Sequence, residues 1–241
     1  QIPSREKKHQ NHWNTYSRSS MTACREHIHD KISTGRMETG KPLISICICT
    51  FRRPEGIRRA LTSLIDTDTP PGWQIEFIVV DNDKDQSALN IINRVRLDRP
   101  DATVRYFAEQ NPGVSHARNR CIAEANGEIL TFIDDDEYVG QYWLVNLIST
   151  LERQQADAVF GPVVPSFAVP PPAWVNATGT HQRARSSTGS PVAWRNAQTN
   201  NVAFRRSLLN SGHRFSVEIA KTGGEDSLFF AAAAASGHHL V

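Results

Sequence analysis

The chain of 241 residues has few cysteines, little net charge and no long hydrophobic run. Its four cysteines (Cys24, Cys47, Cys49 and Cys121) form no CxxC pair, which favours buried free thiols in a reducing cytosol. The 27 Lys and Arg nearly balance the 25 Asp and Glu, so the chain has no electrostatic footprint for binding nucleic acid. No apolar run reaches about 18 residues, so no membrane-spanning helix is predicted, and the N-terminus lacks a signal-peptide core.

From Leu43 onward, short apolar runs of strand-forming residues alternate with segments that have helical periodicity. This alternation is typical of βαβ units and predicts an α/β fold with a mostly parallel sheet flanked by helices. Residues 1–40 are polar and aperiodic, and we interpret them as a disordered N-terminal extension. The predicted strands cover 43–49, 75–80, 104–107 and 129–133, and the predicted helices cover 55–65, 86–97 and 114–125.

Three of these four strands end in polar residues, namely Thr50, Asp81 and the acidic run Asp134–Glu137. Ligands of open α/β sheets bind just beyond the carboxyl ends of the strands. Four adjacent carboxylates repel one another and call for a positive partner, and hard oxygen ligands suit Mg²⁺ or Mn²⁺. An acidic surface turn is the alternative. Strand alternation, if it continued, would point Asp134 and Asp136 to one side and Asp135 to the other.

The second half of the chain is less regular. Its pattern predicts a helix over 141–154, a short strand over 158–160, a long loop over 161–199, a strand over 200–204, and helices over 205–210 and 227–235. Glu225 and Asp226 precede the last helix, where acidic residues favour the helix dipole, so a helix cap and a catalytic role are both open. A further strand is predicted after Gly237, shortly before the sequence ends at Val241.

Several of these stretches together resemble the family 2 glycosyltransferases of the GT-A fold, and within them the succinoglycan-type bacterial exopolysaccharide glucosyltransferases. The resemblance implies a Rossmann-like nucleotide-sugar-binding half over 41–140 and an acceptor-binding and catalytic half over 141–241. The matching stretches are Ile46–Pro54 (ICICTFRRP), Val79–Asp83 (VVDND), Ala117–Asn119 (ARN), Phe132–Glu137 (FIDDDE), Phe160–Val163 (FGPV) and Gly223–Phe230 (GGEDSLFF).

The resemblance also implies a nucleotide-sugar-binding set at the strand ends. Thr50 and Asp81 fall where the family holds the base and ribose, and Arg52 follows in the same motif. Arg118 falls near the nucleotide or diphosphate, where a guanidinium can grip phosphate oxygens in a bidentate fashion. The alternatives are a strand-end cap for Thr50 and Asp81, and an ordinary surface charge for Arg118.

The run Asp134–Asp136 corresponds to the DxD-type motif of the family. The resemblance implies that Asp136 binds Mn²⁺ or Mg²⁺ directly, and that Asp134 or Asp135 contacts the ribose or metal-bound water. Asp226 matches the catalytic base, with Glu225 orienting it or contacting the acceptor. The implied reaction is an inverting transfer in which Asp226 takes the proton of the attacking hydroxyl.

The implied partners are a UDP-sugar donor, with glucose as the expected sugar, and a lipid-linked oligosaccharide acceptor in exopolysaccharide synthesis. The expected location is the cytoplasm, with peripheral contact at the inner face of the plasma membrane. Trp174 and Trp194 are candidate sugar-stacking platforms on the acceptor side, or else residues that bury the loop.

Two other functions are open. One is a truncated, non-catalytic nucleotide-binding or scaffold protein. The other is a sugar-phosphate nucleotidyltransferase, which lacks support because no Gly-rich phosphate loop follows the first strand.

Overall fold

The apolar runs of the first half form the parallel part of a single sheet. The computed structural model describes residues 40–167, 169–178, 186–219 and 222–241, so the predicted disordered extension lies outside the described residues except for residue 40. The strands are β1 (Leu43–Thr50), β2 (Gln74–Asp81), β3 (Val104–Ala108), β4 (Ile129–Asp134), β5 (Ala158–Phe160) and β6 (Asn201–Arg205). The order across the sheet is β3-β2-β1-β4-β6-β5.

The register of the sheet brings the polar strand ends to one edge. Strand β1 pairs in parallel with β2 and β4, and β2 pairs in parallel with β3, as the alternating pattern predicts. This pairing places Thr50 beside Asp81, and Cys49 beside Asp134. Strand β6 runs antiparallel to both β4 and β5, which makes the sheet mixed.

Helices cover both faces of this sheet, and each face has its own apolar cluster. The helices are α1 (Pro54–Ile65), α2 (Leu89–Asp98), α3 (Val114–Glu124), α4 (Trp143–Arg153), α5 (Ala173–Thr178) and α6 (Glu225–Ala235). Alternation along β1 points Ile46 and Ile48 into the cluster under α1, α2 and α4. It points Cys47 and Cys49 to the other face, towards Cys121 under α3 and α6.

Several predicted elements differ from the structure. The helix predicted over 205–210 is a 3₁₀ helix over Arg206–Leu209, and three further differences have local explanations. Helix α2 begins at Leu89 rather than at residue 86, because Gln86 has a φ of 52° and lies in a turn. The predicted loop over 161–199 contains α5 and a 3₁₀ turn at Trp194–Asn196. The strand predicted after Gly237 is a single parallel bridge between Leu240 and Ala158 at the outer edge of β5.

A buried glutamate joins three strands away from the polar edge. Ser45 Oγ donates to Glu76 Oε1 at 2.6 Å, and the Asn126 backbone N–H donates to the same oxygen at 2.7 Å. Arg105 Nη1 donates to Glu76 Oε2 at 3.0 Å. A side chain at Gly127 would place its Cβ 2.5 Å from the Ser45 nitrogen, so the chain passes here only as glycine. The network fixes the register of β1, β2 and the segment that enters β4.

We predict that Glu76→Ala lowers the free energy of unfolding by about 3 kcal/mol, because it leaves Arg105, Ser45 and Asn126 without their shared acceptor. Urea unfolding followed by circular dichroism measures this change. Glu124→Ala is the matched control, because Glu124 is a more exposed partner of the same Arg105 at 3.4 Å, and we expect a loss below about 1 kcal/mol. Equal losses for the two variants would contradict the assignment.

Candidate active site

The acidic end of β4 is held by one hydroxyl and one guanidinium. Thr50 Oγ1 donates to Asp135 Oδ2 at 2.7 Å, so the ends of β1 and β4 are joined side chain to side chain. Arg53 Nη1 donates to Asp135 Oδ1 at 3.0 Å and to Asp136 Oδ2 at 2.8 Å. Asp135 is buried, whereas Asp136 is exposed. Arg53 is therefore a positively charged partner of the acidic run, and no sequence motif had assigned it a role.

The side chains of the acidic run do not follow strand alternation. Strand β4 ends at Asp134, and the next two residues lie in a turn. Asp135 and Asp136 consequently both reach the same nitrogen of Arg53. The expectation that Asp135 points away from Asp136 was wrong, because alternation holds only while the backbone remains extended.

A close approach of helix α1 places Arg53 over this turn. Pro54 occupies the first position of α1, where the missing N–H of proline costs nothing. A Cβ at Gly56 would lie 2.7 Å from the backbone oxygen of Asp135, so the first turn of α1 packs against the turn after β4 only because residue 56 is glycine. Arg53 precedes this helix directly and is thereby held within reach of both carboxylates.

Asp134 is the carboxylate of this run that has no partner. Its side chain makes no hydrogen bond or ion pair with any of the described residues. Burial raises the pKa of Asp134 to about 6; Arg118 opposes this rise, and the charges of Asp136, Asp226 and Asp135 add to it. The Asp134 carboxylate therefore lies within electrostatic reach of Asp226, which belongs to helix α6.

Arg118 on helix α3 joins the two acidic residues that begin α6. Its Nη1 donates to Glu225 Oε1 at 2.6 Å and to Asp226 Oδ1 at 2.8 Å. Burial lowers the pKa of this guanidinium, but the neighbouring carboxylates, chiefly Asp226, outweigh burial and raise it, so Arg118 stays charged. The guanidinium also lies 5.5 Å from the ring centroid of Phe215. Arg118 is thus a buried ion-pair partner of the predicted catalytic residues, and its contact with diphosphate stays a prediction.

Asp226 has a second partner that sequence reasoning missed. Thr199 donates its backbone N–H to Asp226 Oδ2 at 3.1 Å, and its hydroxyl lies 3.0 Å from both carboxylate oxygens. Thr199 is buried and immediately precedes the segment that enters β6. No sequence signal marked it, because it falls in a stretch interpreted as a loop. Gly224, with a φ of 94°, starts α6 so that its first turn meets this threonine.

Asp81 is fully buried, and both of its carboxylate oxygens accept hydrogen bonds from the loop that follows β2. Oδ1 accepts from the Asp83 N–H at 3.0 Å, and Oδ2 accepts from the Ala88 N–H at 2.9 Å and from Tyr106 Oη at 3.0 Å. These contacts are those of a strand-end cap. Arg52 is exposed, has a φ of 55°, and pairs with Asp83 at 3.4 Å. The assignments of Asp81 and Arg52 to the nucleotide remain predictions.

The two candidate acceptor-side tryptophans are both exposed. Trp174 lies on α5, and Trp194 begins the 3₁₀ turn, where the guanidinium carbon of Arg195 is 5.9 Å from its ring centroid. A cavity of about 1040 Å³ lies nearby, between α4, β5 and the segment over 186–201. None of the acidic site residues lines this cavity, so we do not assign the reaction to it.

The acidic run suits a divalent cation that is shared with a ligand. Over the described residues, no group of three or more His, Cys, Asp or Glu side chains is arranged to hold a metal ion alone. Asp134 is unpaired, and Asp136 uses only one oxygen on Arg53. Mg²⁺ and similar ions are commonly bound through one or two carboxylates, with substrate phosphates and water completing the shell. The residues present fit that donor set.

The fold and the site define an α/β protein with an acidic run at the carboxyl end of β4 and a second carboxylate pair at the start of α6. The family model described as "Glycosyl transferase family 2" matches residues 45–211, and the chain belongs to this family. The resemblance stated from the sequence motifs is thereby confirmed. Among the helices of the described residues, none has the length and apolar character needed to cross a bilayer.

One curated relative is the succinoglycan biosynthesis protein ExoM of Rhizobium meliloti (strain 1021). It is 35% identical over 190 residues, which make up 78% of this chain and 60% of ExoM. The chain thus spans 60% of the length of this relative, which is less than two thirds. The activity of the whole protein is therefore treated below as a proposal.

Two solved glycosyltransferases share the fold. The mannosyltransferase PcManGT from Pyrobaculum calidifontis, in complex with GDP-Man and Mn²⁺, has a TM-score of 0.62 at 21% identity and covers 92% of this chain and 61% of its own. Staphylococcus aureus TarS 1–349 in complex with UDP has a TM-score of 0.62 at 20% identity and covers 82% of this chain and 57% of its own. The predicted GT-A fold is confirmed.

We predict that Asp134→Asn stabilises the metal-free protein at pH 7.5 by about 2–3 kcal/mol. The reason is that folding raises the pKa of Asp134 from 3.8 to about 6, and each pKa unit corresponds to about 1.4 kcal/mol. Because the folded-state pKa is raised, folding favours the protonated form, and the cost of the charge appears as pH rises from about 4 to 6. The gain should therefore vanish near pH 3.5.

Urea unfolding in EDTA at the two pH values measures this difference. Asp98→Asn is the control, because Asp98 is an exposed carboxylate on α2 and its loss should give no stabilisation at either pH. An Asp134→Asn variant no more stable than wild type at pH 7.5 would contradict the burial of an unpaired carboxylate.

Proposed function

We propose that the chain is the catalytic portion of a metal-dependent, inverting glycosyltransferase. It transfers a sugar, with glucose as the first candidate, from a UDP-sugar to a lipid-linked saccharide in exopolysaccharide synthesis. The observation that supports this proposal is a chain of contacts from Asp226 to the end of β4. Arg118, which donates to Asp226, lies one helical turn from Cys121 on α3, and Cys121 Sγ is 3.7 Å from Sγ of Cys49, the register partner of Asp134. The proposal takes Asp226 as the proton acceptor and the acidic run as the site of the cation that binds the donor diphosphate.

The donor is expected to lie across the ends of β1, β2 and β4. Thr50 and Asp135, joined by their hydrogen bond, and Arg52 are the proposed contacts to the base and ribose. UDP is preferred because of the resemblance to glucosyltransferases and because a structural neighbour, TarS, was solved with UDP. The neighbour solved with GDP-Man makes GDP-sugars the alternative to screen, by hydrolysis or by thermal stabilisation.

Asp136 is the proposed direct ligand of Mn²⁺ or Mg²⁺, with unpaired Asp134 beside it. When bound, such a cation supplies Lewis-acid stabilisation of the negative charge on the leaving diphosphate. A neighbouring mannosyltransferase solved with Mn²⁺ supports this choice of metal. The protein's own share is to bring these carboxylates to the end of β4 and to hold Asp135 in place through Thr50.

Asp226 is the proposed general base. Arg118 and Thr199 hold its carboxylate from two sides, which fixes the positions of both carboxylate oxygens. An acceptor hydroxyl within hydrogen-bond reach gives its proton to Asp226 as the oxygen attacks the anomeric carbon, and the sugar–phosphate bond breaks on the opposite side. Glu225 shares the Arg118 nitrogen and is proposed to position that guanidinium.

The acceptor is proposed to approach past α5 and the 3₁₀ turn, where Trp174 and Trp194 are exposed. Aromatic faces of this kind stack against the apolar faces of sugars. The succinoglycan relative supports a polysaccharide product. A lipid-linked acceptor and a location at the cytoplasmic face of the membrane follow from the resemblance alone.

A non-catalytic nucleotide-binding protein is the second candidate. It is favoured by one observation, that both oxygens of Asp226 already accept hydrogen bonds from Arg118 and Thr199. UDP binding measured by calorimetry, together with no sugar transfer or donor hydrolysis under any metal condition, would support this candidate over the enzyme.

We predict that Asp226→Asn lowers the rate of UDP release from the UDP-sugar by about 10²–10⁴-fold, because the general base is lost. Asp136→Ala should also abolish the Mn²⁺-dependent part of the rate. The rate is measured by coupled UDP detection with and without Mn²⁺. Asp98→Asn, an exposed change on α2, is the control. Wild-type turnover in both site variants would exclude the proposed site.

We predict that Thr199→Val lowers kcat by about tenfold while the KM for the donor stays within about twofold, because the variant loses a hydrogen bond to a charged group worth about 1.5 kcal/mol. Thr199→Ser, which keeps the hydroxyl, should restore most of kcat. Steady-state kinetics on the three proteins measure the split. A rise in KM with unchanged kcat would show that Thr199 does not act through the base.

A further inference from the structure

A cation of the protein itself already occupies the acidic run. Arg53 Nη1 lies 3.0 Å from Asp135 Oδ1 and 2.8 Å from Asp136 Oδ2, so one nitrogen is shared by two carboxylates. The pKa of Arg53 is raised by the charge of Asp135 first, then by its hydrogen bond and by Asp136, which keeps the guanidinium charged. In this state the two neighbouring carboxylates are partly neutralised without a metal ion.

The same carboxylate, Asp136, is the proposed ligand of the divalent cation. Two cations cannot both lie close to one exposed carboxylate without mutual repulsion. Asp136 Oδ1 makes no hydrogen bond to Arg53, so a divalent ion can bind there, and its charge would repel the guanidinium and weaken the hydrogen bond from Arg53 to Oδ2.

We propose that Arg53 is a built-in counter-cation that competes with the divalent metal ion for Asp136. This inference rests on the proposed function, because it takes Asp136 as the metal ligand. Its consequence is that metal alone binds weakly. Metal and donor then bind together, because the donor diphosphate supplies the further oxygen ligands and also attracts the released guanidinium.

The geometry allows this exchange at small structural cost. Arg53 has to give up only one of its two hydrogen bonds, the one to Asp136, and it keeps the other to Asp135. Asp135 also keeps its hydrogen bond from Thr50. The side chain of Arg53 is 56% exposed, so it has room to turn. The backbone beneath it stays in place because Gly56 packs against Asp135.

The test measures binding of Mn²⁺ alone, without nucleotide, by electron paramagnetic resonance of the free ion. We expect Arg53→Gln to lower the Kd for Mn²⁺ by about threefold or more, the size expected for a half-exposed ion pair. Arg53→Lys, which keeps the charge, should stay near wild type. Arg58→Gln is the matched control, because Arg58 lies on α1, which Arg53 directly precedes, and has a similarly exposed side chain but pairs with Glu55. The Mn²⁺ affinity of this variant should not change.

Asp136→Asn separates this inference from the proposed function. Loss of Mn²⁺ binding in Asp136→Asn, with unchanged affinity in Arg53→Gln, would overturn the competition and leave the metal assignment standing. Equal tightening in Arg53→Gln and Arg58→Gln would overturn it as well, because a general charge effect would explain both. Mn²⁺ affinity that is unaffected by Asp136→Asn, or absent in every variant, would overturn the metal assignment and the inference with it.

Discussion

The site depends on holding five carboxylates of like charge at one edge of a sheet. Two arginines make this possible, and each spans two acidic residues: Arg53 joins Asp135 to Asp136, and Arg118 joins Glu225 to Asp226. Asp134 has no ion-pair partner among the described residues, and its raised pKa reflects the free-energy cost of burying its charge. A ligand that brings positive charge to Asp134 relieves this cost, which is the physical reason that the edge suits a cation bound with a phosphate.

The charged side chains at the two ends of the sheet have different roles. Near the start of β2, Glu76 is fully enclosed and every acceptor site on it is taken by Ser45, Asn126 or Arg105, so the network is static and fixes register. At the opposite edge, Arg53 and Asp136 are exposed and share a single hydrogen bond, which is the one we propose to weaken when a metal ion binds. The buried network therefore fixes the strands at one end, and the exposed ion pair at the other end is the part proposed to rearrange.

Much of the fold could be predicted because the buried strands are continuous apolar runs, and parallel pairing then brings Thr50, Asp81 and Asp134 to one edge. The antiparallel direction of β6 could not be predicted, since the hydrophobic pattern of a short apolar strand is the same for either strand direction. The partners of the site residues were also missed. Arg53 and Thr199 make their contacts across 82 and 27 residues of chain, where helix packing rather than local periodicity decides proximity.

The central claim is that the end of β4 and the start of α6 bind one donor between them. A crystal structure of the chain soaked with UDP and Mn²⁺ tests it most directly. The account predicts anomalous Mn²⁺ density against Asp136, with the diphosphate between that ion and the Asp226 carboxylate. Mn²⁺ and UDP bound together elsewhere, for example in the cavity beside α4, would contradict it.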